Sequence, residues 1–177
     1  TATAVFVVPD ARRVPYYEGS FPLRTVFSWF FEERGLQVAH SGAVATAAGA
    51  ALVVGSGGAG KSSTCLTALL EGLRFLGDDY CLLDPAAAEP SVHSLYSSAK
   101  LHPEDLAHYP ELRTCQRAFP LAPGEKDTYF LHPAFADRLL RAAPVRAVLL
   151  PRVRGSGATT LRPATASPSG STMATSR

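Results

Sequence analysis

Residues 52–63, with the sequence LVVGSGGAGKSS, hold the densest group of residues able to do chemistry in this chain of 177 residues. Four glycines in six positions are followed by a lysine and two hydroxyls, in the P-loop pattern G-x-x-x-x-G-K-[ST]. Glycines let successive backbone N–H groups turn inward around an anion. A helix that begins near Gly60 would add its positive N-terminal dipole. The stretch therefore predicts a phosphate site.

The P-loop pattern also assigns individual roles. Lys61 is expected to bridge the β- and γ-phosphates of ATP, and the Ser62 hydroxyl to join the coordination shell of Mg²⁺. A flexible glycine turn that fits the pattern by chance is the alternative, which the apolar strand before the loop and the apolar helix after it disfavour. The predicted cofactors are therefore ATP and Mg²⁺. The residues expected to bind the nucleotide are Gly55, Ser56, Gly57, Gly58, Ala59, Gly60, Lys61, Ser62 and Ser63.

Two adjacent carboxylates, Asp78 and Asp79, interrupt the next apolar run, LRFLGDDYCLLD. In P-loop proteins a carboxylate at the end of a strand ligates Mg²⁺, and a second one can accept the proton of an attacking hydroxyl. Side chains alternate along a strand, so both can face one site only if the backbone bends there, as Gly77 permits. We expect Asp78 to join Ser62 as a metal ligand, and Asp79, Asp78 and Lys61 to be catalytic. Which carboxylate is the base stays open, and a solvated Asp-Asp turn is the alternative.

His40, in VAHSGAV, is a further catalytic candidate on the strand before the P-loop strand. If these two strands pair, the far end of one lies away from the loop unless the hairpin is staggered. Spacing alone therefore does not place His40 at the phosphates. A core or surface histidine is an equally good interpretation.

Hydrophobic periodicity predicts the elements that must position these residues. We expect a hairpin of LQVAHSGAVATAAG and AALVVGS to lead into the glycine loop, a helix over 60–72, and a strand over LRFLGDDYCLLD. Weaker patterns predict a strand over TAVFVVPD, a helix in FPLRTVFSWFFEERG, a strand near 91–95 and a helix near 103–109. They also predict a short helix in PAFADRLLRAAP and late strands in EKDTYFL and VRAVLLPRV. The Ser-, Thr-, Ala- and Pro-rich residues 163–177 predict a disordered tail.

Composition limits the classes of partner. A hydrophobic share of 46% and a charged share of 18% fit a globular domain, and a net charge of +2 gives no reason to expect nucleic acid or an anionic membrane. No apolar run approaches the roughly 20 residues that span a bilayer. The three cysteines form no CxxC pair, and the apolar N-terminal stretch lacks the basic start of a signal peptide. We therefore expect a cytoplasmic protein with no nucleic-acid or membrane partner.

The sequence HSGAV…ALVVGSGGAGKSSTCLTALLEGLRFLGDDYCLL resembles the HPr serine kinase/phosphorylase family, especially its HprK-like kinases. These kinases share a similar P-loop core with ATP-dependent phosphoenolpyruvate carboxykinase. The resemblance covers residues 16–161 and is densest over 40–84. A P-loop alone is shared by very many proteins. The combination of a histidine-bearing strand, a hairpin, the P-loop and a close Asp-Asp pair is much more specific.

This resemblance implies an α/β fold: a P-loop nucleotide-binding domain over residues 1–162, with a mixed sheet and a hairpin leading into the loop. It implies ATP at residues 55–62 and Mg²⁺ at Ser62 with one aspartate, the other being the general base toward a serine hydroxyl. It also implies that His40 lies near the transferring phosphate. Lys100 and Arg152 stand in segments typical of the group, where each is either a cation that neutralises phosphate or a surface charge.

The sequence thus predicts an ATP- and Mg²⁺-dependent kinase that phosphorylates a hydroxyl, with serine of a protein or peptide as the expected acceptor. Two departures argue against HPr itself as that acceptor. Ser63 and Thr64 follow where HPr kinases usually carry an acidic residue, and the later glycine-rich segment for HPr recognition is not found. The alternatives are a small-molecule phosphotransferase and a non-catalytic ATP-binding regulatory module, such as a truncated relative. Related kinases are often oligomeric, so a homo-oligomer is an option that no sequence feature selects.

Overall fold

A curled mixed sheet of seven strands, with one helix packed against it, forms most of the fold. The computed structural model describes residues 3, 5–10, 14, 16–118, 124–153 and 158–164. In these residues the helices are α1 (Arg24–Glu32) and α2 (Lys61–Leu70). The strands are β1 (Gln37–Ala39), β2 (Gly42–Thr46), β3 (Gly49–Val53), β4 (Arg74–Gly77), β5 (Cys81–Asp84), β6 (Ser91–Ser94), β7 (Ser98–Leu101), β8 (Gln116–Ala118), β9 (Asp127–Phe130) and β10 (Ala142–Leu149).

The strand order of the large sheet is β1-β5-β6-β10-β3-β2-β4, and a second sheet has the order β7-β9-β8. Strands β2 and β3 form the predicted antiparallel hairpin, and β3 continues directly into the glycine loop. Only the β3–β10 pair in these sheets is parallel, so the large sheet is mixed. The predicted α/β class, mixed sheet and hairpin are confirmed.

Two of the predicted strands are each broken by a bend. The run LQVAHSGAVATAAG divides into β1 and β2 on either side of residues 40–41, and the run LRFLGDDYCLLD divides into β4 and β5 on either side of residues 78–80. We call each bent pair of strands, β1–β2 and β4–β5, a ribbon. The pairs Ala39–Cys81 and Ala43–Gly77 keep one antiparallel register across both breaks. The two ribbons therefore bend together, and residues 40–41 face residues 79–80.

Helix α2 lies between the large sheet and the three-stranded sheet. Its buried face, Cys65, Leu66 and Leu69, packs with Phe75 of β4 on one side and Tyr129 of β9 on the other. On the opposite face the large sheet curls, so that small residues of β2 and β3 pack against residues of β5 and β6 in a second buried cluster. Both faces of β2 and β3 are thus buried, which fixes the position of the loop that follows β3.

The weaker patterns predicted α1, β6, β9 and β10, which are confirmed, and three elements that differ in the structure. Residues 5–8 are exposed and form no strand, and the helix expected near 103–109 is two consecutive 3₁₀ segments, Pro103–His108 and Pro110–Thr114. Pro110 lacks the N–H that a continuous α-helix requires there. The helix expected in PAFADRLLRAAP is only the 3₁₀ segment Ala136–Arg138. Residues 165–177 of the predicted tail lie outside the described residues.

Neither described helix is long and apolar enough to cross a membrane.

Candidate functional site

The glycine loop joins the end of β3 to the start of α2, as the P-loop pattern predicts. Gly58 and Gly60 adopt φ values of +76° and +96°, in the left-handed region that favours glycine. Gly60 is also the residue that caps the N-terminus of α2. The loop therefore has the backbone conformation that can turn N–H groups toward one anion, at the positive end of a ten-residue helix.

Lys61 folds back over this loop. Its side chain is buried, and its Nζ donates hydrogen bonds to the carbonyl oxygens of Gly55 at 2.8 Å and Ser56 at 3.2 Å. The ammonium thus ties the beginning of the loop to the first turn of α2. Its charge also reaches Asp79, where it helps to lower the pKa of the carboxyl group. Lys61 is therefore placed between the loop and the carboxylates.

The hairpin brings His40 to the edge of the sheet where the loop begins, a position that its spacing alone did not predict. In the hairpin, Gly42 pairs with Val53, so the beginning of β2 lies beside the end of β3. His40 precedes β2 by two residues and therefore reaches the edge of the sheet where the loop begins. The stated need for a staggered hairpin was wrong, because an ordinary, unstaggered hairpin brings the beginning of its first strand next to the end of its second strand.

The imidazole of His40 is paired with Asp79. Its Nε2 lies 3.0 Å from the Oδ1 of Asp79, within hydrogen-bond distance. The His40 ring also stacks on Tyr80, with centroids 5.1 Å apart and an angle of 22° between the planes. Both partners remain accessible, since 51% of the His40 side chain and 24% of the Asp79 side chain are exposed. A partly accessible carboxylate held in one orientation by an imidazole can accept a hydrogen bond from an incoming hydroxyl.

Asp78 is held in a different environment from its neighbour. It is only 1% exposed, and its Oδ2 accepts a hydrogen bond of 2.8 Å from the backbone N–H of Lys100. Its Oδ1 has no hydrogen-bond partner among the described residues. The Ser62 hydroxyl lies close enough to lower the pKa of Asp78, but burial, followed by the charge of Asp79, outweighs this and raises that pKa to about 6.

The pKa values of the two carboxyl groups are shifted in opposite directions. Burial raises the pKa of Asp79, but the hydrogen bond and charge of His40, with the charges of Lys100 and Lys61, outweigh burial and lower it overall. Adjacent carboxylates whose environments separate their pKa values commonly take different roles in a reaction. Asp79 is the more acidic and more accessible of the two, whereas Asp78 is buried with one unpaired oxygen.

That unpaired oxygen allows a test of whether the residues suit a magnesium ion. Mg²⁺ prefers oxygen ligands and in nucleotide sites takes one or two from protein, with phosphates and water completing its shell. Asp78 Oδ1 and the neighbouring Ser62 hydroxyl supply such a pair. Among the described residues there is no cluster of three or more His, Cys, Asp or Glu side chains suited to a metal. The site thus fits a magnesium ion that arrives with phosphate.

An open cleft of about 530 Å³ borders the other side of the loop. Residues 54–59 form one wall and residues 150–153 form the other. Arg152 lies in this second wall, so the two cations that the sequence singled out lie on opposite sides of the loop, Lys100 by the carboxylates and Arg152 in the cleft. Ser63 is exposed on the first turn of α2, beyond the glycines.

Sequence reasoning missed Tyr80 and, apart from Arg152, the wall at 150–153. Tyr80 supports His40 through ring stacking, and the wall faces the glycine loop. Tyr80 has no local signal in the sequence, because only the shared register of the two ribbons places it opposite His40. The wall has none until β10 is known to be parallel to β3, since only that pairing brings their ends together.

No family model and no curated protein matches this chain. One similar solved structure is the Hpr(Ser) kinase/phosphatase from Coxiella burnetii. It is 14% identical with a TM-score of 0.41, and the match covers 63% of each chain. This likeness is too low to assign family or function, so membership of the HPr kinase family stays a prediction.

Proposed function

We propose that this chain is an ATP- and Mg²⁺-dependent kinase that transfers the γ-phosphate to a hydroxyl group, with serine of a protein or peptide as the acceptor. The observation that carries the proposal is the pairing of Asp79 with His40, beside a buried Asp78, at the edge of the sheet where the glycine loop begins. We assign the activity to one ATP-binding domain over residues 1–162, followed by a tail over 163–177.

On the donor side, the backbone N–H groups of residues 55–60 and the dipole of α2 bind the phosphates. Lys61 exchanges its two carbonyl contacts for phosphate oxygens, which leaves the loop free to close around the anion. This exchange replaces a charge–dipole contact with a charge–charge contact in a partly buried site. Lys61 thereby offsets negative charge on the nucleotide as the phosphate is transferred.

The magnesium ligands supplied by the chain are Ser62 and Asp78. When bound, the ion neutralises charge on the phosphate oxygens. Burial and the charge of Asp79 make Asp78 less acidic than a free aspartate, and a neighbouring cation would favour its ionised form. The Lys100 N–H holds the other oxygen of Asp78, so the unpaired oxygen keeps a fixed direction.

On the acceptor side, Asp79 stays ionised at neutral pH because His40, Lys100 and Lys61 together lower its pKa. Its accessible carboxylate accepts the hydroxyl hydrogen of the acceptor and orients the oxygen for attack. His40 is a positioning residue, since it holds the carboxylate while Tyr80 holds the imidazole. Buried Cys65 and Cys81 do not compete as nucleophiles, because burial raises both thiol pKa values, that of Cys81 to about 12.

The proposal is tested by incubating the protein with radiolabelled ATP, Mg²⁺ and a library of serine peptides with randomised flanks. An otherwise identical library with alanine in place of serine is the matched control. We expect label in the serine library alone, with a mass increase of one phosphate. A chain that binds ATP·Mg²⁺ tightly but labels no peptide, protein or small hydroxyl compound contradicts the kinase and favours a non-catalytic binding module.

A further inference from the structure

The side chain of Lys100 has no part in the chemistry proposed above beyond the effect of its charge on Asp79. Its Nζ lies 5.2 Å from the ring centroid of Phe21, within the range of a cation–π contact. Phe21 is only 2% exposed, and it meets Tyr80 edge to face with ring centroids 5.0 Å apart. Tyr80 in turn stacks on His40, the partner of Asp79. Lys100 is therefore held over a row of rings that leads to Asp79.

The Lys100 ammonium group has no anionic partner in the described part of the chain. Its charge reaches Asp79 and helps to lower the pKa of that carboxyl group, yet Lys100 forms no ion pair with a carboxylate of the described residues. Lys126 directly precedes β9, the strand that pairs with β7 through Lys100 and Thr128. The charge of Lys126 also acts on Asp78. Positive charge therefore flanks the carboxylates on the side of the three-stranded sheet.

We infer that Lys100 is a specificity-determining residue that binds an acidic side chain next to the acceptor serine. This inference rests on the proposed function, because the serine hydroxyl must be held by Asp79. Successive Cα atoms of a peptide are about 3.8 Å apart, so a carboxylate one or two positions from the serine reaches the groups that surround Asp79. The preferred acceptor is therefore a protein or peptide with aspartate or glutamate beside the serine.

The electrostatics of the acceptor side make this cation decisive. Asp79 is ionised at neutral pH because its pKa is lowered, and it therefore repels a second carboxylate brought beside it. The charge of Lys100 offsets this repulsion, and its half-buried position strengthens the attraction relative to bulk water. The alternative role for Lys100 is to neutralise the transferring phosphate. A lysine with that role would act equally on every acceptor, so the two roles are separable by experiment.

The test compares kcat/KM for serine peptides that differ only in the residues flanking the serine, which are aspartate, asparagine or lysine. We expect the aspartate peptide to be used about tenfold more efficiently than the asparagine peptide, a gain typical of one charge-assisted hydrogen bond. Lys100→Ala should bring this ratio close to one, and Lys100→Arg should retain it. Lys100→Glu should reverse the order in favour of the lysine peptide. The ratio is the readout because loss of this charge also acts on Asp79, and that change is common to all three peptides.

Arg113→Glu is the matched control, since it reverses an exposed cation of the 3₁₀ segment Pro110–Thr114. It should keep the order of peptides seen in the wild type. The inference is overturned if the wild type uses the aspartate and asparagine peptides equally, or if Lys100→Glu lowers kcat/KM for all three peptides by the same factor. Failure of the proposed function looks different, because no serine peptide would then be phosphorylated, and the inference would fall with it.

Discussion

The donor and acceptor sides of the site are built in different ways. The donor side is one continuous stretch, residues 55–62, whose backbone does most of the binding. The acceptor side is assembled from groups that are far apart in sequence, since His40 and Asp79 are 39 positions apart and Asp78 is 22 positions from Lys100, whose backbone N–H donates to it. A phosphate cradle can therefore be encoded locally, whereas the acceptor side exists only when the two bent ribbons keep their common register.

The donor and acceptor sides also differ in how they affect the stability of the folded protein. In the free protein, hydrogen bonds from Lys61 to the carbonyl oxygens of Gly55 and Ser56 hold the beginning of the loop in place. The acceptor side instead buries one carboxylate beside another and leaves an oxygen unpaired, which opposes folding. Variants that separate binding, transfer and stability therefore test whether the two sides are distinct in function as well as in construction.

The largest expected effect is on the acceptor side. Asp79→Asn should lower the rate of phosphate transfer to a serine peptide about 1,000-fold, because the amide cannot accept the hydroxyl proton. Its Kd for ATP·Mg²⁺ should stay within about threefold of the wild type. Single-turnover transfer and calorimetry measure the two quantities separately. Asp137→Asn, at an exposed aspartate of the 136–138 segment, is the control and should change neither quantity.

The next largest effect is on the donor side. Lys61→Ala should weaken ATP·Mg²⁺ binding about 100-fold, since a charged hydrogen-bond donor to the phosphates is lost. Arg113→Ala removes an exposed cation from the 3₁₀ segment Pro110–Thr114, outside the proposed site, and should bind ATP normally. If Lys61→Ala reduces transfer with no change in Kd, the division between a binding side and a transfer side is wrong.

A smaller effect concerns stability and pH. Asp78 has a pKa of about 6 in the folded chain against an ordinary value of 3.8, so the folded state binds the proton more tightly. Stability should therefore be highest below pH 3.8 as far as this group is concerned, and fall as the pH rises to 6. Asp78→Asn should remove this loss and stabilise the protein at pH 7 by up to about 3 kcal/mol.

Urea unfolding at pH 4 and pH 7 measures the free energy of unfolding of the wild type and of Asp78→Asn.

Asp79→Asn is the opposite case, because the pKa of Asp79 is lowered in the folded chain. Such a carboxylate stabilises the fold above its ordinary pKa, and this stabilisation is lost as the pH falls through the pKa of the folded state. Asp79→Asn should therefore destabilise the protein at pH 7, where Asp78→Asn stabilises it. Equal changes in the two variants would show that the carboxylates do not differ as described.

What the sequence could predict follows the same division. The loop, helix α2 and the hairpin follow from local spacing, and all three are present. The location of His40 at the loop follows from that hairpin, whereas its contact with Asp79 and the role of Tyr80 depend on pairing between ribbons that no local pattern specifies. The strands β7 and β8 were missed because each is short, and both pair with β9 across long sequence separations.

The central claim is that the glycine loop and the His40–Asp79 pair form one site. The most direct test uses paramagnetic Mn²⁺ in place of Mg²⁺ and follows the ring proton signals of His40 by NMR, with His40→Gln to assign them. Addition of Mn²⁺ and ATP should broaden these signals strongly in the wild type and far less in Lys61→Ala. Sharp His40 signals in a wild-type protein saturated with Mn²⁺ and ATP would contradict the account.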